Sequence, residues 1–337
     1  MSDTPLAVDV IIPTHNRHAR LESTLRSLAA QTFREFAVIV VDDVSEPPVA
    51  APAVLEGGIP VRVLRTTARP GARSAGPALA RNLGLRAATA PLVAFLDDDV
   101  DAAPDWLERL VSAGREPGTA VFGPLLAPAG WRPTPWNAWE ARTLAVEYRR
   151  MRDGKYPAGW RQFFTGNALA HREELLAAGG FDEAFTRAED IELGIRLAAR
   201  GVRFVFEPCA RGWHDSRRTL ESWFRIPREY ARFDAEIARK HPELDWLAVI
   251  DLELSRRSFA LRALRRALPA PVLRRGVARA AARTSQVLFA LGFREVAMHG
   301  LSLAYDLEYQ AAFASLPGPV RGIERPHNRS VAAGGQE

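Results

Sequence analysis

The feature that most constrains this chain is a pattern repeated through its first third. A short apolar run, rich in β-branched residues, ends at polar residues, and a stretch of helical spacing follows. Residues 8–12 form one such run and stop at Pro13. Residues 36–41 form the next and stop at Asp42 and Asp43. Residues 92–96 form another and stop at Asp97, Asp98 and Asp99. Residues 61–64 and 120–122 have the same character. Runs this short and this predominantly apolar read as strands buried on both faces. Between them Leu21, Leu25 and Leu28 recur at helical spacing, residues 76–88 read as a second helix, and Pro104, taken as a first helical residue, opens a third through about Glu116. Strands alternating with helices dictate an α/β fold with a mostly parallel sheet and right-handed crossovers. Open sheets of this kind take ligands beyond the carboxyl ends of their strands. Thr14, His15, Asn16, Asp42, Asp43 and Asp97 to Asp99 all fall at those ends, which points to a site there.

Further along, the pattern is less regular from Trp131 to Trp160, then gives a strand at 163–170, a helix at 189–200 and a strand at 202–206. From Leu220 it is helical, broken at Pro269 and Pro271. The 337 residues, 47% of them hydrophobic, suit one large domain with an appendage. The expected division is an α/β domain at 1–219, a helical region at 220–315 and a disordered tail at 316–337, where apolar residues thin out. No repeat is present. No run approaches the roughly 20 apolar residues of a spanning helix, and no basic-then-apolar leader opens the sequence, so the expected location is cytoplasmic. The one cysteine, Cys209, excludes an internal disulfide framework and reads as a small buried hydrophobe.

The net charge is +5 and almost all positive charge is arginine, since lysine occurs only at Lys155 and Lys240. Ten arginines and no acid lie between Ser255 and Arg294. Such a block is either a solvated helical face or a surface for phosphates, nucleic acid or anionic lipid. Leu254, Leu261, Leu264 and Leu268 share one helical face there. Arg257 interrupts that face and Phe259 falls off it, so the amphipathic pattern is imperfect. Contact with the inner face of the cell membrane is the expectation it raises.

Three clusters carry chemistry. Asp97-Asp98-Asp99 concentrates negative charge that a cation would offset, and carboxylate oxygens suit Mg²⁺ or Mn²⁺, which also bind diphosphate. An acidic loop is the bland reading. Strand alternation would turn Asp97 and Asp99 to one side and Asp98 to the other. Asp42-Asp43 suits base N–H or ribose hydroxyl groups, or is a pair of turn residues. Glu189-Asp190 opens a helix, where the dipole alone accounts for two acids. A general base for a hydroxyl is the functional reading. His214 needs acids from elsewhere in the chain to bind a metal. Trp131, Trp136, Trp139 and Trp160 either stack on sugar rings or lipid or pack a lid or core.

The ordered set Pro13-Thr14-His15-Asn16-Arg17, Val41-Asp42-Asp43-Val44-Ser45, Ala80-Arg81-Asn82-Leu83-Gly84, Phe95-Leu96-Asp97-Asp98-Asp99, Gly179-Gly180-Phe181-Asp182-Glu183, Glu189-Asp190 and His214 resembles the family 2 glycosyltransferases of the GT-A fold, from about Val8 to Ser216. The resemblance implies a Rossmann-like sheet flanked by helices, with a helical C-terminal extension outside it. It implies that Pro13, Thr14, Asn16, Asp42, Asp43, Arg81, Asp97 and Asp98 hold a nucleotide sugar, UDP- or dTDP-linked. Asp99, Asp97 and His214 would bind Mn²⁺ or Mg²⁺. Asp190, with Glu189 beside it, would be the base of an inverting transfer to a carbohydrate, lipid-linked or small-molecule hydroxyl. Gly166, Asn167, Trp213 and Trp160 would shape the acceptor side. Val44 departs from the family, which has a small residue there.

Two other readings compete. A sugar-nucleotide nucleotidyltransferase would share the architecture and the metal. It usually opens on a glycine-rich phosphate loop, and here the first strand runs into Pro13-Thr14-His15-Asn16. A non-enzymatic nucleotide-sugar or nucleic-acid binder would use the arginines, but no nucleic-acid motif is present and none is expected as a partner.

Overall fold

The computed structural model describes residues 7–67, 74–185, 187–256 and 267–316. The stretch holding Arg257, Phe259, Leu261 and Leu264, and the tail after residue 316, lie outside them. The chain divides into two compact units, Met1–Thr219 and Leu220–Glu337.

In the first unit β1 (Val8–Thr14), β2 (Phe36–Asp42), β3 (Val61–Arg65), β4 (Leu92–Leu96), β6 (Thr119–Phe122), β8 (Asn167–His171) and β9 (Arg203–Phe206) form one sheet in the order β3-β2-β1-β4-β8-β6-β9. All neighbours are parallel except β8, which runs antiparallel to both β4 and β6. The apolar runs are continuous because both faces are covered. Val8, Val10 and Ile12 of β1, with Phe36, Val38 and Val40 of β2 and Leu92, Ala94 and Leu96 of β4, pack with α1 (His18–Ala29) and α3 (Trp106–Ala113). The alternate residues Ile11, Ile39, Val41, Val93 and Phe95 pack with α2 (Pro77–Ala87), α4 (Pro135–Arg152) and α6 (Glu189–Ala199). Helix α2 lies close enough to β1 that a Cβ at Gly84 would come within 2.6 Å of the Ile11 side chain.

A second, three-stranded sheet joins β5 (Val100–Ala102), β7 (Leu125–Leu126) and β10 (Gly212–His214), in the order β5-β10-β7. Strands of two or three residues leave no periodic signal in a sequence, and none was expected. Its importance is positional. β10 pairs antiparallel with β5 so that His214 lies opposite Val100, beside Asp99.

Four expectations are corrected. The stretch from Trp131 contains an 18-residue helix, α4, whose Thr134 side chain accepts a hydrogen bond from Asn137 N–H. Thr134-Pro135 is a cap followed by a first-turn proline. Pro104 lies in the turn before α3, which starts at Trp106. The strand placed at 163–170 begins at Asn167, because a 3-10 turn at Trp160–Gln162 comes first. Cys209 is exposed rather than buried.

In the second unit, helices span Leu220–Lys240, Trp246–Arg256, Pro271–Ala290 and Arg294–Phe313. Pro271 begins a helix, as its fixed φ and missing N–H allow. Asp234 takes hydrogen bonds from the Trp246 indole (3.0 Å) and the Tyr309 hydroxyl (2.8 Å). Buried Glu308 is bound by Arg228 at 2.6 Å.

Candidate functional site

The parallel register sets Thr14, Asp42 and Arg65 abreast at the ends of β1, β2 and β3. Asp42 is buried and both its oxygens are committed: Ser45 N–H (2.8 Å) to one, Val49 N–H (3.1 Å) and Arg65 Nη1 (2.6 Å) to the other. Burial pushes this carboxyl up, but the hydrogen bonds and Arg65 outweigh it and leave it below the usual range. Asp42 therefore ties the β2 loop to β3. Asp43 accepts from Thr66 Oγ1 (2.6 Å), Ser74 Oγ (2.5 Å), Ala75 N–H (2.8 Å) and Gly76 N–H (3.0 Å). The β1 and β2 loops are tied together. Asn16 N–H donates to Ser45 Oγ at 2.9 Å, and Asn16 Oδ1 accepts from Glu46 N–H at 2.8 Å. Between these fixed points Val44 is held at φ +60° and Asn16 at φ +56°. For a β-branched residue the left-handed region costs about 1–3 kcal/mol. This is where the sequence departs from the family's small residue.

Asp97 to Asp99 form a turn, closed by Val100 N–H to Asp97 O at 3.2 Å, rather than a strand. The expected two-sided alternation is thereby overturned. Asp98 and Asp99 share one cation: Arg17 Nη1 lies 3.0 Å from Asp98 Oδ1 and 2.7 Å from Asp99 Oδ2. Asp98 also accepts from the Thr14 hydroxyl at 2.7 Å. Burial pushes its carboxyl up to about 6 despite Arg17. Asp99 meets His214 Nε2 at 3.4 Å. Burial would raise Asp99, but His214, Arg17 and Arg20 hold it below its ordinary value. Burial would lower His214, and Asp99 raises its proton affinity instead.

Asp97 turns to a different partner. Arg81 on α2 is buried and forks between two acids far apart in sequence, Asp97 Oδ1 at 2.8 Å and Glu189 Oε1 at 2.7 Å. A planar guanidinium suits this bridging, which a lysine could not reproduce. The fork ties the β4 turn to the start of α6. Gly166 completes the fit, since a Cβ there would approach Asp97 Oδ2 to 2.7 Å. Asp190 follows Glu189 at the helix start, after Ala188 in the left-handed region at φ +60°. Crowding by protein, and then the Glu189 charge, push the Asp190 carboxyl up to about 7, against the pull of Arg81. A carboxyl poised there exchanges protons near neutrality.

The remaining expected residues divide by role. Pro13 is in β1, in register with Val41. Asn167 is buried and its side chain serves the framework. It accepts from the Trp106 indole at 2.6 Å and donates to Ala210 O at 2.8 Å and Pro124 O at 3.1 Å. Trp136 is buried, its indole donating to Arg218 O at 2.7 Å. Trp160 sits in the 3-10 turn before β8. Trp213, next to His214 in β10, lines a groove of about 620 Å³ with Trp131, Arg20, Asp101, Arg132 and Asp215. Arg17, Arg20, Arg65 and Asp215 had no role assigned from sequence. Arg65 was findable as the residue ending β3 level with Asp42; Arg17 and Arg20 follow from their one-turn spacing at the start of α1.

Among the described residues no three His, Cys, Asp or Glu side chains gather into a self-sufficient metal cage. Asp99 and His214 supply one oxygen and one imidazole donor at the exposed end of the sheet. Asp99 supplies the hard oxygen donor that suits Mg²⁺ or Mn²⁺, and His214 would add a nitrogen donor beside it, so the pair could hold part of a divalent cation's shell and leave the rest to a diphosphate ligand.

Comparison with known proteins identifies a family. Residues 9–174 match the family described as Glycosyl transferase family 2, and residues 92–284 match Glycosyl transferase family group 2. A pre-mycofactocin glycosyltransferase from Mycobacterium tuberculosis is 32% identical over 237 residues, 70% of this chain and 48% of that protein. A validoxylamine A glucosyltransferase from Streptomyces hygroscopicus subsp. jinggangensis is 32% identical over 243 residues, 60% of this chain and 53% of that protein. The chain thus spans about half the length of these curated relatives. The mannosyltransferase PcManGT from Pyrobaculum calidifontis, solved in complex with GDP-Man and Mn²⁺, superposes with a TM-score of 0.61 at 21% identity, covering 93% of this chain and 87% of that one. That likeness is one of fold.

Proposed function

The chain belongs to the family 2 glycosyltransferases, and from that premise we propose that it moves a sugar from a nucleoside diphosphate to an acceptor hydroxyl by one inverting displacement, with Asp190 as the base. The observation that carries the reading is the Arg81 fork. It joins the acidic turn after β4 to the start of α6, so that a carboxyl of raised proton affinity stands beside the turn suited to a diphosphate. Asp190 takes the proton of the acceptor hydroxyl as its oxygen attacks the anomeric carbon and the diphosphate departs on the opposite face. One displacement inverts the anomeric configuration.

The nucleoside end of the donor is assigned to the joined loops after β1 and β2, with Thr14, Asn16 and Asp43 as the polar groups and Asp42 as their strut. Asp99 and His214 would hold Mn²⁺ or Mg²⁺, which when bound supplies Lewis-acid neutralisation of the leaving diphosphate. Arg17 adds fixed positive charge at the same place, and Arg81 holds Asp97 and Glu189 in position. The groove between Trp131 and Trp213 is the acceptor side, where indole faces suit sugar rings. The nucleotidyltransferase alternative falls with the family assignment.

The test is thermal-shift screening of UDP-, dTDP- and GDP-sugars with and without Mn²⁺, on the wild type and Asp99→Ala. One base should raise the melting temperature, more so with Mn²⁺, and Asp99→Ala should lose the Mn²⁺ increment. The donor so identified is then turned over, and its product examined by NMR. No shift with any donor and no nucleoside diphosphate released would refute the transferase reading. A retained anomeric configuration would refute the single displacement.

A further inference from the structure

The second unit carries an exposed apolar end that the catalytic reading does not use. Helices Pro271–Ala290 and Arg294–Phe313 form a hairpin whose turn is closed by Gly292 N–H to Phe289 O at 3.1 Å and Phe293 N–H to Leu288 O at 2.9 Å, with Gly292 at φ +88°. These are the paired bonds of a Schellman turn, so the hairpin end is a fixed shape. In such turns the residue after the glycine commonly packs back on the helix. Here Phe293 is 58% exposed, with Leu291 at 66%, Val287 at 58% and Val296 at 56%. Four large apolar side chains at one end of a rigid hairpin make a patch of the kind that marks an interaction surface.

Behind this end the charge has one sign. From Pro271 to Arg294 the chain has five arginines and no acid. Arg279 and Arg283 are exposed and fall on the helical face of Val287, about 6 and 12 Å back along the axis at 1.5 Å per residue. Arg294 is the first residue of the second helix, directly after the turn. Glu295 is the one acid from Pro271 to Tyr305, and exposed His299 follows it.

We propose that this hairpin end docks on an anionic phospholipid surface, its apolar side chains entering the headgroup boundary and Arg279, Arg283 and Arg294 meeting lipid phosphates. The spacing suits that occupant, because interfacial apolar groups settle roughly 5–10 Å deep with cations at the headgroups. No described helix is long and apolar enough to cross a membrane, so the contact is with the surface. A second copy of the chain suits the patch less well, since pairing two such ends sets arginine against arginine. The sequence pointed to a different place, the leucine face at 254–268.

The test is flotation of the full chain with phosphatidylcholine vesicles, with and without a quarter of phosphatidylglycerol, at low and physiological salt. The wild type should float with anionic vesicles and much less with neutral ones. The double variant Leu291→Ser/Phe293→Ser should lose at least tenfold in binding. Arg279→Gln/Arg283→Gln should lose about fivefold per arginine, together with its salt dependence. These positions are exposed and outside the catalytic machinery, so melting temperature and turnover of a soluble acceptor should not change. Failure of the wild type to float, or equal flotation of the serine variant, overturns the proposal. So does a dimer seen by light scattering that the serine variant abolishes while no vesicle is bound.

Discussion

Replacing Glu189 by Gln should move the acid limb of the pH–activity profile to lower pH. The side chain keeps its shape and can still accept from Arg81, which retains Asp97 as a counter-ion. What disappears is the like charge that is the second cause, after burial, of the raised Asp190 carboxyl. Two unit charges about 6 Å apart at an effective dielectric of about 20 interact by roughly 3 kcal/mol. Arg81 already offsets much of the Glu189 charge, so a shift on the order of one pKa unit, about 1.4 kcal/mol, should remain. The base works as the carboxylate, so activity is present above its pKa and lost as pH falls through it. Wild-type kcat/KM should therefore fall through about pH 7 and the variant through about pH 6. At pH 6 the ionised fraction rises from roughly a tenth to roughly a half, a fivefold gain relative to each enzyme's own plateau. The assay is release of nucleoside diphosphate from pH 5 to 9, with melting curves to show that both proteins are folded. An acid limb that stays in place or moves up would refute the electrostatic argument. Loss of turnover at every pH with donor binding intact would make Glu189 the base.

Asp190→Asn should lower turnover by at least a hundredfold while donor affinity, read by calorimetry, changes less than threefold, because shape is kept and basicity is lost. Arg17→Gln should lower the melting temperature in metal-free buffer, since Asp98 and Asp99 lose a shared cation. Added Mn²⁺ should recover more of that loss than it adds to the wild type; an equal increment would contradict the shared-cation account. Asn167→Leu should destabilise by about 2–4 kcal/mol in urea unfolding, because the Trp106 indole and the carbonyls of Pro124 and Ala210 lose buried partners. A change under 1 kcal/mol would show that water replaces the amide.

The parallel half of the sheet was legible because strands covered on both faces are nearly continuous apolar runs, broken inside β1 only by buried Asp9, which takes the Thr89 and Ala90 N–H groups. The strands' polar ends then pointed to the candidate site without a structure. What stayed hidden had no period to reveal it. The β5-β10-β7 sheet is made of three-residue and two-residue strands, yet its register is what sets His214 beside Asp99. Helix α4 was obscured because its tryptophans and flanking prolines resemble a loop by composition, although Thr134-Pro135 announces its start. The alternation expected of Asp97 to Asp99 failed because the chain turns immediately after Leu96. Acidic residues could be nominated from sequence, but which arginine each one meets depends on contacts 16 to 195 residues apart.

Those pairings also offset part of the acidic charge at the site. At the sheet's end Arg17 serves Asp98 and Asp99, Arg81 serves Asp97 and Glu189, Arg65 serves Asp42 and Arg20 serves Asp215. Each arginine comes from a different element than its acids, so four cations offset part of the charge of six carboxylates within the fold. Asp190 stands apart from this scheme. Among the described residues its carboxylate accepts a hydrogen bond only from the neighbouring Ile191 N–H, at 2.8 Å, and forms no ion pair. A carboxylate crowded by protein, close to Glu189 and Asp97 and without an arginine of its own, is held in its acid form to higher pH than an ordinary aspartate. The same arrangement that pairs the other acids leaves Asp190 without a cation of its own, which is why the proposed base is Asp190 rather than Glu189 beside it.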